Sequence, residues 1–234
     1  MLRIIKKFLL DTDRMNIDRK FRAARIWSNE ELKKYAKLFG GEIVNVSAWK
    51  DEDKQGGFYK EYFVNADSYS ITNYGGTYGE SGGEIDLPEY ALDLTSPLPE
   101  FLSLKFDTVF NHTTLEHIYD NRLAFKNLCN MARDAVIVVV PWVQQVHIVE
   151  GAFNDYWRYS PYAMELLYNE NGFDMVVCNW NNDFDSAVYL FCIGIRKDKR
   201  EKYPGFEKVK VTNDIPAGRW IGTYRSRDRI VNVL

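Results

Sequence analysis

Phe106–Pro141 reads FDTVFNHTTLEHIYDNRLAFKNLCNMARDAVIVVVP. Two apolar runs frame it, Phe106–Phe110 and Ala135–Val140, both rich in β-branched or aromatic residues. Between them Leu123, Leu128 and Met131 recur with helical spacing. Strand, helix, strand is a βαβ unit. The run VIVVV has no polar alternation, which predicts a strand buried on both faces, as in parallel sheets. A right-handed crossover is the default for such a unit.

Polar residues follow the first strand directly: Asn111, His112, Glu116 and His117. In open α/β sheets, ligands bind outside the carboxyl ends of the strands, near the point where strand order reverses. These side chains are therefore site candidates by position. The pattern FDTVFNHTTLEH, then a helix, then VIVVVP, resembles the fourth and fifth strands of class I S-adenosylmethionine (SAM)-dependent methyltransferases. That resemblance implies where a cofactor and an acceptor would meet: beside Asn111 and His112. A histidine there offers a base near neutral pH. His112 and His117 are separated by a loop and a helix start, with no supporting cysteine or carboxylate cluster, so no metal site is expected.

The chain has 234 residues, of which 46% are hydrophobic and 15% aromatic, enough for one α/β domain with extensions. No apolar run is long enough to span a bilayer, a length of roughly 18 residues. The start, MLRIIKKFLL, lacks the long apolar core and cleavage site of a signal peptide. Cys129, Cys178 and Cys192 sit in apolar segments without metal spacing and read as reduced core thiols of a cytoplasmic protein. Net charge is −3, unevenly spread: residues 1–39 and 196–234 each carry 11 Lys/Arg against 5 Asp/Glu, and residues 40–195 carry 8 against 23. An acidic centre repels a phosphate backbone, so no nucleic-acid partner is expected. The basic ends read first as solvated helix faces; they also offer a peripheral contact to an anionic membrane, or a route to a homo-oligomer.

In chain order, residues 2–10 suggest a short amphipathic helix. Ser28-Asn-Glu-Glu31 matches a capping box, predicting a helix that starts at Ser28 and stops at Gly40-Gly41. Glu42–Ala48 is the predicted first strand. The methyltransferase resemblance implies that an acidic residue and a Gly-x-Gly-x-Gly turn should follow. SAWKDEDKQGGFYKEYF stands there instead, with only Gly56-Gly57 before a predicted helix at Phe58–Phe63. Ser47, Gly56 and Gly57 are the cofactor candidates of this loop. Ser68–Tyr74 is the predicted second strand, ending at Asn73, where the resemblance implies an acid on the ribose hydroxyls. Gly75–Gly83 reads as a glycine-rich loop. Tyr90–Leu94 is a short third strand; Asp93 either approaches the adenine amine, as the resemblance implies, or caps the following Thr-Ser turn.

Past Pro141, DYWRYSPYAMELLYNENGF resembles a segment of methyltransferase-like proteins, several linked to surface-polysaccharide synthesis. Ser160 caps the helix it opens and Pro161 takes the first turn. The resemblance implies that His147, Tyr156, Trp157 and Arg158 roof the site, His147 as a second candidate base and the others as acceptor contacts. Arg158 suits a carboxylate or phosphate, or an ion pair with Asp155 that pins the turn. Met175–Trp180 and Ala187–Arg196 are the last strands, with a turn at Asn181–Ser186 between them, and an irregular arm starts at Asp198.

The resemblance covers residues 40–196. It implies a Rossmann-like class I methyltransferase fold: a seven-stranded sheet of order 3-2-1-4-5-7-6, strand 7 antiparallel, helices on both faces. Residues 1–39 form a basic helical extension and residues 197–234 a C-terminal arm. Two functions remain open. One is a SAM-dependent methyltransferase, or a similar transferase, for a small-molecule or glycan-linked acceptor. The other is a module of the same fold that has lost SAM and works by binding a partner, as the altered glycine and ribose-acid positions suggest.

Overall fold

The computed structural model describes residues 23–75, 87–142, 146, 148, 150–151, 153–181 and 189–211, and the backbone of 223–226 and 229–232. Its centre is a seven-stranded sheet in the order β3-β2-β1-β4-β5-β7-β6. The strands are β1 (Gly40–Val46), β2 (Asn65–Asn73), β3 (Glu89–Ala91), β4 (Phe106–His112), β5 (Ala132–Pro141), β6 (Phe173–Trp180) and β7 (Tyr189–Arg196). Strands β1 to β5 run parallel, and β7 is antiparallel to both neighbours. The expected architecture is therefore found. Strand order reverses between β1 and β4, where Val46 pairs with Asn111.

Among the described residues, three α-helices cover the sheet: α1 (Ala23–Ala36), α2 (Asn121–Met131) and α3 (Pro161–Glu170). The run Val136–Val140 splits by period two. Val136, Val138 and Val140 join Phe125, Leu128, Met164 and Tyr168 of α2 and α3 in one core layer. Ile137 and Val139 join Leu32 and Ala36 of α1, with Tyr59 and Tyr62, in the other. All five valine and isoleucine side chains are fully buried, as a strand covered on both faces requires. α3 begins as its sequence predicts, Ser160 accepting from the Ala163 N–H and Pro161 in the first turn.

α1 begins earlier than predicted. The capping-box reading of Ser28 fails because Ala23, Ala24 and Arg25 already support the helix. Ser28 lies inside it, its hydroxyl donating back to the Arg25 carbonyl at 2.9 Å. Residues 2–10 and 76–86 lie outside the described residues, so the amphipathic helix and most of the glycine-rich loop expected there do too. The predicted helix at Phe58–Phe63 is a single 3-10 turn, Tyr59–Tyr62. The expected irregular arm begins with another, Lys197–Lys202, after which Phe206 stacks on Phe39. The arm is not irregular throughout: Thr223–Ser226 (β8) and Arg229–Asn232 (β9) pair antiparallel. Each segment holds β-branched or aromatic residues, Thr223 and Tyr224 in one and Ile230 and Val231 in the other, which suit a two-stranded ribbon.

Two glycines are fixed by close approach. Gly41 has φ 78°, and a side chain there would overlap the Asp107 carboxylate. That carboxylate accepts from the Glu42 N–H at 2.8 Å and from Arg133, a clamp at the amino ends of β1, β4 and β5 that leaves the opposite ends for a ligand. At Gly194 of β7 a Cβ would run into the Tyr168 ring, which is fully buried and donates to the carbonyls of Val136 and Cys192. Gly194→Ala should therefore cost about 1–3 kcal/mol in urea unfolding, as overpacked cores do. An unchanged midpoint would show that Tyr168 can move aside.

Candidate functional site

At the carboxyl ends of β1 and β4, Asn111 Nδ2 donates to the Val46 carbonyl at 2.8 Å. Its Oδ1 is buried and has no partner. A buried, unsatisfied acceptor costs about 1–3 kcal/mol, so this oxygen at the switch point is suited to a ligand's N–H or O–H donor.

The β1–β2 connection is where sequence and structure depart furthest from a glycine-rich turn. Ser47, Trp49 and Asp51 occupy left-handed backbone, φ 56°, 51° and 58°, a conformation that glycine adopts at least cost. The surrounding side chains hold them there. Thr72 Oγ1 accepts from the Ser47 N–H at 3.3 Å. The Asn73 amide accepts from the Trp49 N–H at 2.6 Å and donates to the Trp49 carbonyl at 3.0 Å. Asp51 is fully buried and accepts from Asn45, Tyr69 and the Lys60 N–H. Burial pushes its carboxyl above the usual carboxylate range, against those three donors. Asp53 closes the next turn, accepting from the N–H groups of Gln55 and Gly57 and from the Tyr62 hydroxyl.

These bonds decide what the cofactor candidates do. Gly56-Gly57 form the tip of the Asp53 turn, which Asn29 of α1 braces by donating to the Asp53 carbonyl at 2.9 Å. Asn73 spends both amide atoms on Trp49 and also donates to Glu89 at 2.6 Å. Asp93 accepts from the Thr95 N–H, the Thr95 hydroxyl and the Ser96 hydroxyl, which is the capping alternative. Those bonds hold its carboxyl below its ordinary range despite burial. Ser47, Asn73, Asp93 and Asn111 all lie toward the same end of the sheet.

His112 is enclosed by aromatic rings, stacked on Tyr59 at 5.7 Å and edge-on to Tyr189 at 5.8 Å. The Arg25 guanidinium can only donate, and it lies 2.7 Å from His112 Nδ1. Nδ1 is therefore the acceptor, and the proton sits on Nε2, which donates to Ser28 Oγ at 2.9 Å. Ser28 passes its own proton to the Arg25 carbonyl, closing a ring of bonds. Burial, followed by the Arg25 charge, holds the imidazole pKa well below its ordinary value. His112 is thus a neutral ring with both nitrogens engaged, an orienting group with no lone pair to spare. Its partners Arg25, Ser28 and Tyr59 come from segments whose local signals point to helix ends and not to this ring.

Beyond His112, a 3-10 turn (Leu115–His117) places Glu116 under the segment Asp155–Tyr159. The Glu116 carbonyl accepts from the N–H groups of Tyr156 and Trp157, at 2.8 and 3.3 Å. The Trp157 indole donates to the carbonyls of Ile118 and Tyr119, and the Tyr159 hydroxyl to that of Leu115. The roof is therefore tied to the end of β4. Arg158 forms a two-point pair with Asp155, at 2.6 and 2.7 Å, the turn-pinning alternative of the sequence reading. Tyr156 and Trp157 stay substantially exposed. His117 Nδ1 lies 2.6 Å from the Asn154 carbonyl. His147 lies outside the described residues.

The Glu116 side chain is only 1% exposed, and its Oε2 has no partner. Burial, with the Asp155 charge adding to it, raises its pKa to about 8 against a hydrogen bond from its own backbone N–H and the pull of Arg158 and Arg25. By sequence Glu116 is a site candidate by position alone. Among the described residues no group of three or more His, Cys, Asp or Glu is placed to hold a metal ion, and no helix is long and apolar enough to cross a membrane. All three cysteines are free.

No family model matches the chain, and no curated protein matches it. Solved structures do. A magnesium protoporphyrin IX methyltransferase from Synechocystis with bound SAM aligns over 82% of this chain and 95% of its own, at TM-score 0.53 and 11% identity. A 1,6-didemethyltoxoflavin-N1-methyltransferase from Burkholderia thailandensis, with its substrate and S-adenosylhomocysteine, aligns over 83% and 88%, at 0.53 and 12%. A SAM-dependent methyltransferase from Mesorhizobium loti aligns over 75% and 99%, at 0.53 and 12%. The chain thus has the class I methyltransferase fold. At such identities the likeness extends to the fold alone.

The residues present fit the amino-acid end of SAM: an ammonium group would satisfy Asn111 Oδ1, the orphaned acceptor at the switch point. At the ribose and adenine end Asn73 stands where the resemblance implies an acid, and both Asn73 and Asp93 are committed within the protein.

Proposed function

We propose that this protein is a SAM-dependent methyltransferase acting on a small-molecule or glycan-linked acceptor. The observation that carries the reading is the unsatisfied Asn111 Oδ1 at the point of strand reversal, in a fold shared with SAM-bound enzymes. When bound, SAM supplies an electrophilic methyl group on a sulfonium. Asn111 would hold its ammonium end, and the fixed backbone at Ser47–Trp49 would border it. The His112 ring keeps the β4 end in place, so that the cofactor and acceptor are held in line, where alignment supplies much of the rate. Tyr156, Trp157 and Arg158 form the acceptor wall. The link to surface polysaccharides rests on sequence resemblance alone.

A second reading is a binding module without SAM. It is favoured by the committed Asn73 and Asp93 amide and carboxylate groups. Calorimetric titration with SAM and with S-adenosylhomocysteine separates the two. Saturable binding of both is expected, weakened at least tenfold in Asn111→Leu; no heat at millimolar ligand would establish the second reading.

A further inference from the structure

We propose that Glu116 is the base that takes the acceptor's proton, and that the acceptor therefore reacts through a hydroxyl or amine. This rests on the methyl-transfer reading above. Three observations point to it. First, Glu116 follows the end of β4, its own carbonyl anchors the roof through Tyr156 and Trp157, and its carboxyl is within electrostatic reach both of Arg25, which bonds His112, and of Asp155 and Arg158 in the roof. Secondly, Oε2 is buried without a partner. His117 Nε2 lies 3.7 Å from the other oxygen, Oε1, beyond a good hydrogen bond. A carboxyl kept in such a place costs stability, and the loss is recovered only when a ligand donates to it. Thirdly, the alternative base of this strand end is engaged: His112 has both ring nitrogens bonded to Arg25 and Ser28.

The charged groups acting on the carboxyl are Asp155, which resists its ionisation, and Arg158 and Arg25, which favour it. The balance leaves the proton affinity near neutrality, where a general base works best. In the step, Glu116 Oε2 accepts the proton from the acceptor's O–H or N–H. The acceptor's heteroatom forms its bond to the methyl carbon, and the C–S pair stays on sulfur. The products are the methylated acceptor, S-adenosylhomocysteine and a protonated Glu116, which returns its proton to solvent.

The test uses full-length protein, methyl-labelled SAM, and two probe acceptors, methyl glucopyranoside for a hydroxyl and ethanolamine for an amine. Wild type is expected to methylate at least one of them, at a rate that rises through an apparent pKa of about 8. Glu116→Gln should lower that rate by about 10²–10⁴-fold and flatten the pH profile, with S-adenosylhomocysteine affinity within about twofold of wild type by calorimetry. Carboxyl-carbon NMR of labelled glutamate should show one resonance titrating far above the rest, absent in Glu116→Gln. An unchanged rate or profile in the variant, a Glu116 carboxyl titrating with the surface carboxylates, or a wild type that binds cofactor yet methylates neither probe would each overturn the proposal. A wild type that binds neither SAM nor S-adenosylhomocysteine would instead overturn the methyltransferase reading.

Discussion

Glu116→Gln should leave stability unchanged in acid and raise it progressively above pH 5, by up to about 5 kcal/mol at pH 9. The carboxyl has a folded pKa of about 8 against an ordinary value of 4.5. Below 4.5 it is protonated in both states and contributes no difference. Between 4.5 and 8 the unfolded chain releases the proton freely, whereas the folded chain keeps it or carries a buried charge. Ionisation therefore favours unfolding, and wild type loses stability across that window. Each unit of difference is worth about 1.4 kcal/mol, which makes the full gap a ceiling for a fully buried group. Glutamine has the same shape and never ionises, so it escapes the loss. Urea unfolding of both proteins at pH 5, 7 and 9 measures it. Parallel curves for the two would show that Glu116 finds a donor in solution and is not held in an unsatisfied state. Because the readout is stability, the outcome does not depend on knowing the acceptor.

Much of the fold was legible because its signals are local. VIVVV carries no polar alternation, and only burial on both faces explains that; the core splits it by parity as required. Ser160-Pro161 is a helix start written in two residues. The Ser28 capping box had equally good local chemistry and misled, because Ala23–Arg25 extended the helix through it and His112, 84 residues away, claimed the serine hydroxyl. Cap signals report which bonds a residue can make, and tertiary partners decide which it does make.

The site was legible in position and much less so in role. The switch-point rule brought Asn111, His112 and Glu116 to the right end of the sheet. Which of them is engaged depends on Arg25, Ser28 and Tyr59, whose places follow only from packing. The β1–β2 loop shows the same limit. Missing glycines suggested a lost turn, yet Ser47, Trp49 and Asp51 still hold left-handed backbone, because Thr72, Asn73 and the donors around Asp51 stabilise it from outside the loop. Buried Asp51 and Asp53, to which the sequence reading assigns no role, are the residues that hold this loop together.

His112→Ala should cost about 2–4 kcal/mol and lower the thermal midpoint by roughly 5–15 °C, at about 2–4 °C per kcal/mol for a chain of this size. Sequence position alone predicts the reverse, since a loop side chain at a strand end contributes little to core burial. The structure gives the ring three aromatic neighbours, Tyr59, Phe110 and Tyr189, and two bonds. Deleting it removes that packing and one bond each from Arg25 Nη1, which keeps the Tyr59 hydroxyl, and from Ser28 Oγ, which keeps the Arg25 carbonyl, at about 0.5–1.5 kcal/mol a bond. Arg25→Met tests the same network from the other side. It leaves Nδ1 to Thr113 Oγ1 at 3.1 Å and removes the charge that helps hold the imidazole neutral, so the His112 pKa should rise in that variant, read from its ring resonances. In wild type the ring stays neutral through the pH range where ordinary histidines ionise. The two substitutions share one bond, so their costs should not add: the double variant should be less destabilised than the sum by about 1–2 kcal/mol, within the range for residues in contact. Additive costs would show that the 2.7 Å Arg25–His112 contact contributes nothing. A His112→Ala protein with an unchanged midpoint would return His112 to the list of candidate bases.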